Sequence, residues 1–126
     1  MFLNYYSMNK QNVGLEVMDF ENHLKSNLSG CELIPFYGDD MLPKYVPGSR
    51  MIIKEIRMWR EFLEMGAAYV VEMKDGHRIV RYIHKSQKDD CLLLVAENSH
   101  FDSMDIPKSM IGKIYQILLY ANRESM

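Results

Sequence analysis

The sequence contains little of what marks secreted, zinc-binding or membrane proteins. Its 126 residues include only two cysteines, Cys31 and Cys91, which stand alone and lack C-x-x-C spacing. Two such thiols predict free cysteines in a reducing compartment rather than a disulfide framework. No apolar run approaches the roughly 20 residues of a membrane span, and no basic segment followed by an apolar stretch opens the chain. These absences predict a cytoplasmic protein that needs no cofactor and contacts no membrane.

Excess charge of either sign is also missing. The formal net charge is −2, and the 15 basic and 17 acidic residues are mixed along the chain. Because the chain lacks a run of basic residues that could contact successive phosphates of a nucleic acid, direct nucleic-acid binding is not expected. Asp39 and Asp40 could form a metal site with His77 or His84, but no H-x-x-x-H spacing supports one, so no metal is predicted. The hydrophobic content of 48% fits one globular unit with its own core.

The first thirty residues predict an arm and one helix. Residues 1–12 are polar and aromatic without a period. Apolar residues then recur at steps of three and four, as on one face of a helix, at Val13, Val17, Phe20, Leu24 and Leu28. Gly30 is a suitable C-terminal cap. This face either packs on the rest of the domain or docks a partner, and the sequence leaves both interpretations open.

Beyond Gly30 the hydrophobic pattern changes to that of short strands. Strands are predicted over Cys31–Tyr37, Arg50–Ile56, Ala67–Met73, Arg78–His84, 91–96 and 111–120. Asp75-Gly76 predicts a tight hairpin, and residues 57–65 predict one or two helical turns. The fold class is therefore mainly β with an N-terminal α-helix, divided into 1–30 and 31–126. The long apolar strand from Ile111 to Tyr120 is interpreted as an exposed pairing edge.

Four ordered blocks carry a family resemblance. They read GDDMLP (38–43), VPGSRMIIKEI, GAAYVVEMKDGHRIVRYI (66–83) and LLLVAENSHFDSMDIPKSMIGKIYQILL. Together they resemble the C-terminal domain of LexA and of phage repressors, from about Glu32 to Tyr120. The resemblance implies a serine–lysine peptidase scaffold with a pleated, mostly β fold related to signal peptidases. Asn98, in AENS, falls where the family has an asparagine turn and is interpreted as a structural turn residue.

The resemblance also implies that the catalytic dyad is missing. The family's first block usually reads G-D-S-M-x-P, with a nucleophilic serine, and a V-K-R block supplies the lysine base. Laid onto this chain, those positions are Asp40 and Val80. Arg81 is not expected to replace the lysine, because strand alternation turns it to the other face and a guanidinium accepts no proton. The rest of the vestigial cleft is predicted to contain Gly38, Asp39, Met41, Pro43, Arg78, Arg81 and Tyr82.

An ion pair between Asp40 and Arg78 is one hypothesis for what holds this cleft. The alternative is that both are solvated surface charges. The leading functional hypothesis is a pseudo-peptidase that forms a homodimer or binds a protein partner, in transcriptional or stress regulation by analogy with the family. Residues 1–30 contain no Ala-Gly or Cys-Gly cleavage dipeptide, and with one predicted helix they are expected to be too short for a helix-turn-helix unit. Two alternatives are a peptidase with a noncanonical nucleophile and a regulator whose DNA-binding part lies on another chain.

Overall fold

The structure, a computed structural model, describes residues 30–122 and consists almost entirely of strands. The strands are β1 (Cys31–Phe36), β2 (Ser49–Glu55), β3 (Ala68–Met73), β4 (Arg78–Lys85), β5 (Cys91–Val95), β6 (Met104–Pro107) and β7 (Ile111–Ala121). A 3-10 helix, Lys108–Met110, comes directly before β7. The mainly β fold class is thus confirmed, whereas the predicted arm and helix lie outside the described residues.

All seven strands form one sheet in the order β1-β2-β7-β3-β4-β5-β6, with every neighbouring pair antiparallel. The six predicted strands are all present, with ends within a residue or so of the prediction. The predicted hairpin at Asp75-Gly76 joins β3 to β4, and Gly76 has a φ of 97°, a conformation that favours glycine. Strand β6, which pairs with β5, was not predicted.

The interpretation of the last strand as a pairing edge is wrong. β7 lies inside the sheet, where its second half pairs with β2 and its first half pairs with β3. Each half of the strand is therefore paired along one side, and Tyr115 and Gln116, where the halves meet, are paired on both sides. Its length has a different use, because one eleven-residue strand joins the β1–β2 part of the sheet to the β3–β6 part.

Two apolar clusters fill the two faces of the sheet. Neighbouring residues alternate between them, so Val70 and Val80 lie in one cluster and Val71 and Ile79 in the other. The Met41 cluster has as its buried members Met41, Tyr45, Met51, Ile53, Val70, Val80, Ala96 and Tyr115. The Trp59 cluster has as its buried members Trp59, Tyr69, Val71, Met73, Ile83, Leu92, Leu94, Ile111 and Ile114. Both faces are thus buried near the middle of the sheet.

The connection from β2 to β3 contains a single compact turn, in agreement with the prediction for residues 57–65. The N–H groups of Glu61 and Phe62 both donate to the carbonyl of Met58, at 3.0 and 2.8 Å. Trp59 points into the Trp59 cluster and is only 5% exposed. The buried indole therefore anchors this turn on the sheet.

Candidate functional site

The loop between β1 and β2 carries the GDDMLP block and is anchored by a buried methionine. Met41 has no exposed surface and belongs to the Met41 cluster. Its carbonyl accepts a hydrogen bond from the N–H of Tyr45 at 3.0 Å. Its sulfur accepts one from the N–H of Glu97 at 3.3 Å. The side chain of Asp40, one residue earlier, is consequently held close to the sheet and is 17% exposed.

Asp40 forms an ion pair with Arg81 of β4. Arg81 Nη1 lies 2.5 Å from Asp40 Oδ2 and also donates to the carbonyl of Val80 at 2.9 Å. The Arg81 side chain is 7% exposed, so both charges are largely removed from water. Asp40 Oδ1 and Arg81 Nε are buried without a hydrogen-bond partner among the described residues. The pair therefore depends on one short charge-assisted hydrogen bond.

Asn98, just after β5, ties the loop to the sheet from the other side. Its backbone N–H donates to the carbonyl of Asp40 at 3.0 Å, and its Nδ2 donates to the carbonyl of Asp39 at 3.1 Å. Its Oδ1 accepts the N–H of His100 at 3.0 Å, which closes a local turn. The prediction of a structural turn residue is confirmed. The side chain and the backbone N–H of Asn98 thus bond the carbonyls of Asp39 and Asp40, respectively.

Glycine is needed at position 38 because of the Asp40 carboxylate. A Cβ built on Gly38 would lie 2.5 Å from Asp40 Oδ1, closer than such atoms approach in proteins. Of the other predicted cleft residues in this loop, Asp39 and Pro43 are exposed. The structure thus places Gly38 and Arg81 each against Asp40 and leaves Asp39 and Pro43 at the surface.

The predicted ion pair between Asp40 and Arg78 is wrong. Arg78 Nε donates to Glu72 at 2.8 Å, its Nη atoms donate to both oxygens of Glu32 at 3.0 and 3.2 Å, and Nη2 also reaches the hydroxyl of Tyr115 at 3.1 Å. These hydrogen bonds, with Glu32 first, raise the pKa of Arg78, and the bond from Arg78 lowers the pKa of Glu72. The alternative of two solvated surface charges is wrong as well, since both groups are paired.

The physical reason lies at the edge of β4. β5 pairs with β4 only from Tyr82 to Lys85, so the preceding part of β4 is not paired with β5. Arg81 begins on the face of Ile79 and Ile83, but its side chain is long and follows the backbone at this edge to reach Asp40. Alternation sets the direction of Cβ and does not limit the reach of a guanidinium.

A hydrogen bond between a tyrosine and a glutamate lies beside the contact that anchors Met41. Tyr82 donates from its hydroxyl to Glu97 Oε1 at 2.5 Å, next to the N–H that bonds Met41. Burial, followed by the hydrogen bond to Glu97, raises the pKa of Tyr82 to about 12. Burial also raises the pKa of Tyr45, with Tyr120, Tyr82 and Glu97 nearby. Both phenols therefore stay neutral at ordinary pH, and the hydroxyl of Tyr82 acts as a hydrogen-bond donor.

The histidines considered for a metal site lie elsewhere. His77 contacts Asp75 in the β3–β4 hairpin, at 2.6 Å between Nδ1 and Oδ1, and His84 is exposed. Within residues 30–122 no three histidine, cysteine or acidic side chains are grouped so as to hold a metal ion. The same part of the chain contains no helix with the length and apolar character to cross a bilayer.

Comparison with known families agrees with this architecture. A family model described as peptidase S24-like matches residues 6–115. The chain belongs to the peptidase S24-like family. No curated protein matches the chain. Within this S24-like domain, Asp40 occupies the GDDM loop and Arg81 the IVRY strand that sequence reasoning singled out. Glu97 and Tyr45 were missed, although Glu97 stands directly before Asn98 in the AENS turn.

Proposed function

We propose that this S24-like domain is a non-catalytic member of its family, which acts in the cytoplasm as a dimerisation or protein-interaction module in transcriptional or stress regulation. The observation that carries the proposal is the ion pair between Asp40 and Arg81. By the resemblance, the serine position of the GDSM block falls at Asp40, and the VKR block falls on the strand that carries Arg81.

The chemistry of the two side chains argues against acyl transfer. A serine–lysine dyad needs a hydroxyl to attack and a neutral amine to take its proton. A guanidinium has five N–H donors and no acceptor, so Arg81 offers no base. The Asp40 carboxylate is already held by this cation, and attack on a carbonyl would break that contact. Among residues 30–122, no lysine ammonium is hydrogen-bonded to a serine hydroxyl.

The contact also bears on which residue stands for the family's lysine. The resemblance places that position at Val80, but Val80 packs in the Met41 cluster. The side chain that meets Asp40 belongs to Arg81, one residue later. This supports an alignment in which Asp40 and Arg81 replace serine and lysine, with Arg81 the like-charged counterpart.

A peptidase assay on the purified full chain tests the proposal. We expect no cleavage of casein, of a mixed peptide library or of the chain itself, for the native protein and for Asp40→Ala alike. Time-dependent cleavage by the native chain that Asp40→Ala abolishes would show instead a peptidase with a noncanonical nucleophile. Asp39→Ala is the matched control, because its carboxylate is adjacent and exposed.

A further inference from the structure

Two ion pairs attach the β1–β2 part of the sheet to β4 across the Met41 cluster. Three strands separate β1 from β4 in the sheet order. Even so, Arg78 of β4 donates to both carboxylate oxygens of Glu32 on β1, at 3.0 and 3.2 Å. Further along β4, Arg81 donates to Asp40 on the loop after β1. The sheet is therefore curled so far that β1 and its loop meet β4 at two points.

β1 covers the Met41 cluster between these two contacts. Ile34 and Phe36 lie on the same side of β1 as Glu32 and pack against that cluster. Among residues 30–122, β1 pairs with β2 alone, so no strand in this part of the chain holds its other edge. The two arginines thus fasten a covering strand to β4 where no backbone ladder does.

β7 joins the two parts of the sheet and is a suitable hinge between them. Within residues 30–122, Tyr115 and Gln116 are its only residues that pair on both sides. The register between β2 and β7 shifts at Ile52 and Ile53, and such irregularities bend a ladder. A rotation about β7 separates β1 from β4 while the residue pairs between β1 and β2 stay intact.

The contact between Arg78 and Glu32 can break without leaving a buried charge unpaired. Glu32 is 48% exposed, so water readily replaces its partner. Arg78 keeps its bonds to Glu72 at 2.8 Å and to the Tyr115 hydroxyl at 3.1 Å, and these partners lie on β3 and β7 rather than on β1. Ion pairs this exposed contribute little to stability, which suits a contact that opens and closes.

We propose that residues 31–55, which comprise β1, β2 and the Asp40 loop, form a flap that swings about β7 and uncovers the Met41 cluster. Arg78 and Arg81 are the clasps that hold the flap closed, the first at an exposed contact and the second at a buried one. Opening turns the apolar side of β1 towards solvent, so the closed form keeps that side from a protein partner. The inference goes beyond the proposed function, because the flap can open whether or not the domain cleaves peptides.

Hydrogen exchange of backbone amides in the full chain, followed by NMR, tests the flap. The reporters are the N–H groups of Glu97 and Asn98, which lie just after β5 and bond Met41 and Asp40 of the flap. In the native chain, both should exchange through an opening that costs less free energy than the opening of amides in the β3–β4 ladder. Equal protection of the reporters and the ladder would mean that the flap opens only when the whole domain unfolds, and the proposal would then be wrong.

Glu32→Gln tests whether the exposed clasp controls this opening. The substitution removes the charge that meets Arg78 but leaves Arg78 its bond to Glu72, and it lies on β1, outside the loop that bonds the reporters. Exchange of both reporters should become about two- to fivefold faster, as for loss of a partly exposed ion pair. Glu55→Gln is the matched control, because Glu55 is a carboxylate of the flap that belongs to neither clasp, and it should leave the reporters unchanged. Reporters that keep their native rates in Glu32→Gln would indicate a local movement of the loop and would overturn the proposal.

Discussion

The ion pair between Asp40 and Arg81 predicts a strong energetic coupling. The perturbations are Asp40→Ala, Arg81→Met and the two combined, since methionine retains much of the apolar stem of arginine. Breaking a buried pair from one side typically costs about 3–5 kcal/mol, because the remaining charge is left unpaired. Asp40 is 17% exposed and Arg81 7%, so water reaches the remaining group in part. We therefore expect about 2–3 kcal/mol for each single change.

The combined variant should be much less destabilised than the sum. With both charges absent, only the packing and the loop attachment are lost, which we place at about 2 kcal/mol. The coupling energy is then about 2–4 kcal/mol, around the upper end of values for residues in contact.

Urea unfolding of the four proteins measures this cycle, with unchanged slopes as the sign of an unchanged folded state. Asp39→Ala, in the same loop but exposed, should alter the free energy of unfolding by less than about 0.5 kcal/mol. Additive effects of the two single changes, within about 0.5 kcal/mol, would refute the reasoning. The contact would then exist without contributing to the stability of the loop.

Two further predictions concern neighbouring contacts. Gly38→Ala should lower the free energy of unfolding in urea by about 1–2 kcal/mol, because the new methyl displaces the Asp40 carboxylate; an equal loss in an Asp40→Ala background would contradict this cause. Arg78 lowers the pKa of Glu72 below its ordinary value of 4.5, so the stabilisation is present above that pH and is lost as the pH falls through the folded-state pKa. In Arg78→Met, the free energy of unfolding should therefore fall less steeply as the pH is lowered. A pH dependence in the acidic range identical to that of the native chain would contradict this.

Most of the sheet could be predicted from the sequence because its strands have strong local signals. The apolar runs of β2, β3 and β7 are bounded by turn residues, and Asp75-Gly76 specifies its hairpin. β6 lacked such a signal, since its four residues MDIP are largely exposed and end in proline. The position of β7 inside the sheet was not predictable from its own composition. Strand order depends on long-range pairing, which an apolar run does not encode.

The sequence predicts only one half of the candidate site, the loop that carries Asp40. The GDDM loop could be found because its residues form a recognisable block. The predicted partner of Asp40 is wrong, because strict alternation along β4 excludes Arg81 and favours Arg78, whereas Asp40 pairs with Arg81. Of the partners of Arg78, Glu72 lies directly opposite it in the β3–β4 hairpin, whereas Glu32 lies on β1, with three strands between β1 and β4 in the sheet order. The hydrophobic periodicity of a sequence does not predict a contact between distant strands such as the one between Arg78 and Glu32.

Under the proposed function, Asp40 and Arg81 would replace a serine–lysine pair, and the two replacements are physically coherent as one change. A working dyad must keep a lysine amine neutral, which requires burial without a compensating anion. Such a group lowers stability for the sake of reactivity. An aspartate opposite an arginine does the reverse, since each charge compensates the other and the loop gains an attachment to β4. An arginine opposite a serine would leave a buried cation unpaired, whereas an aspartate opposite a lysine would pair with the amine and keep it protonated. Asp40 and Arg81 are therefore expected to depend on each other, since their ion pair attaches the loop to β4.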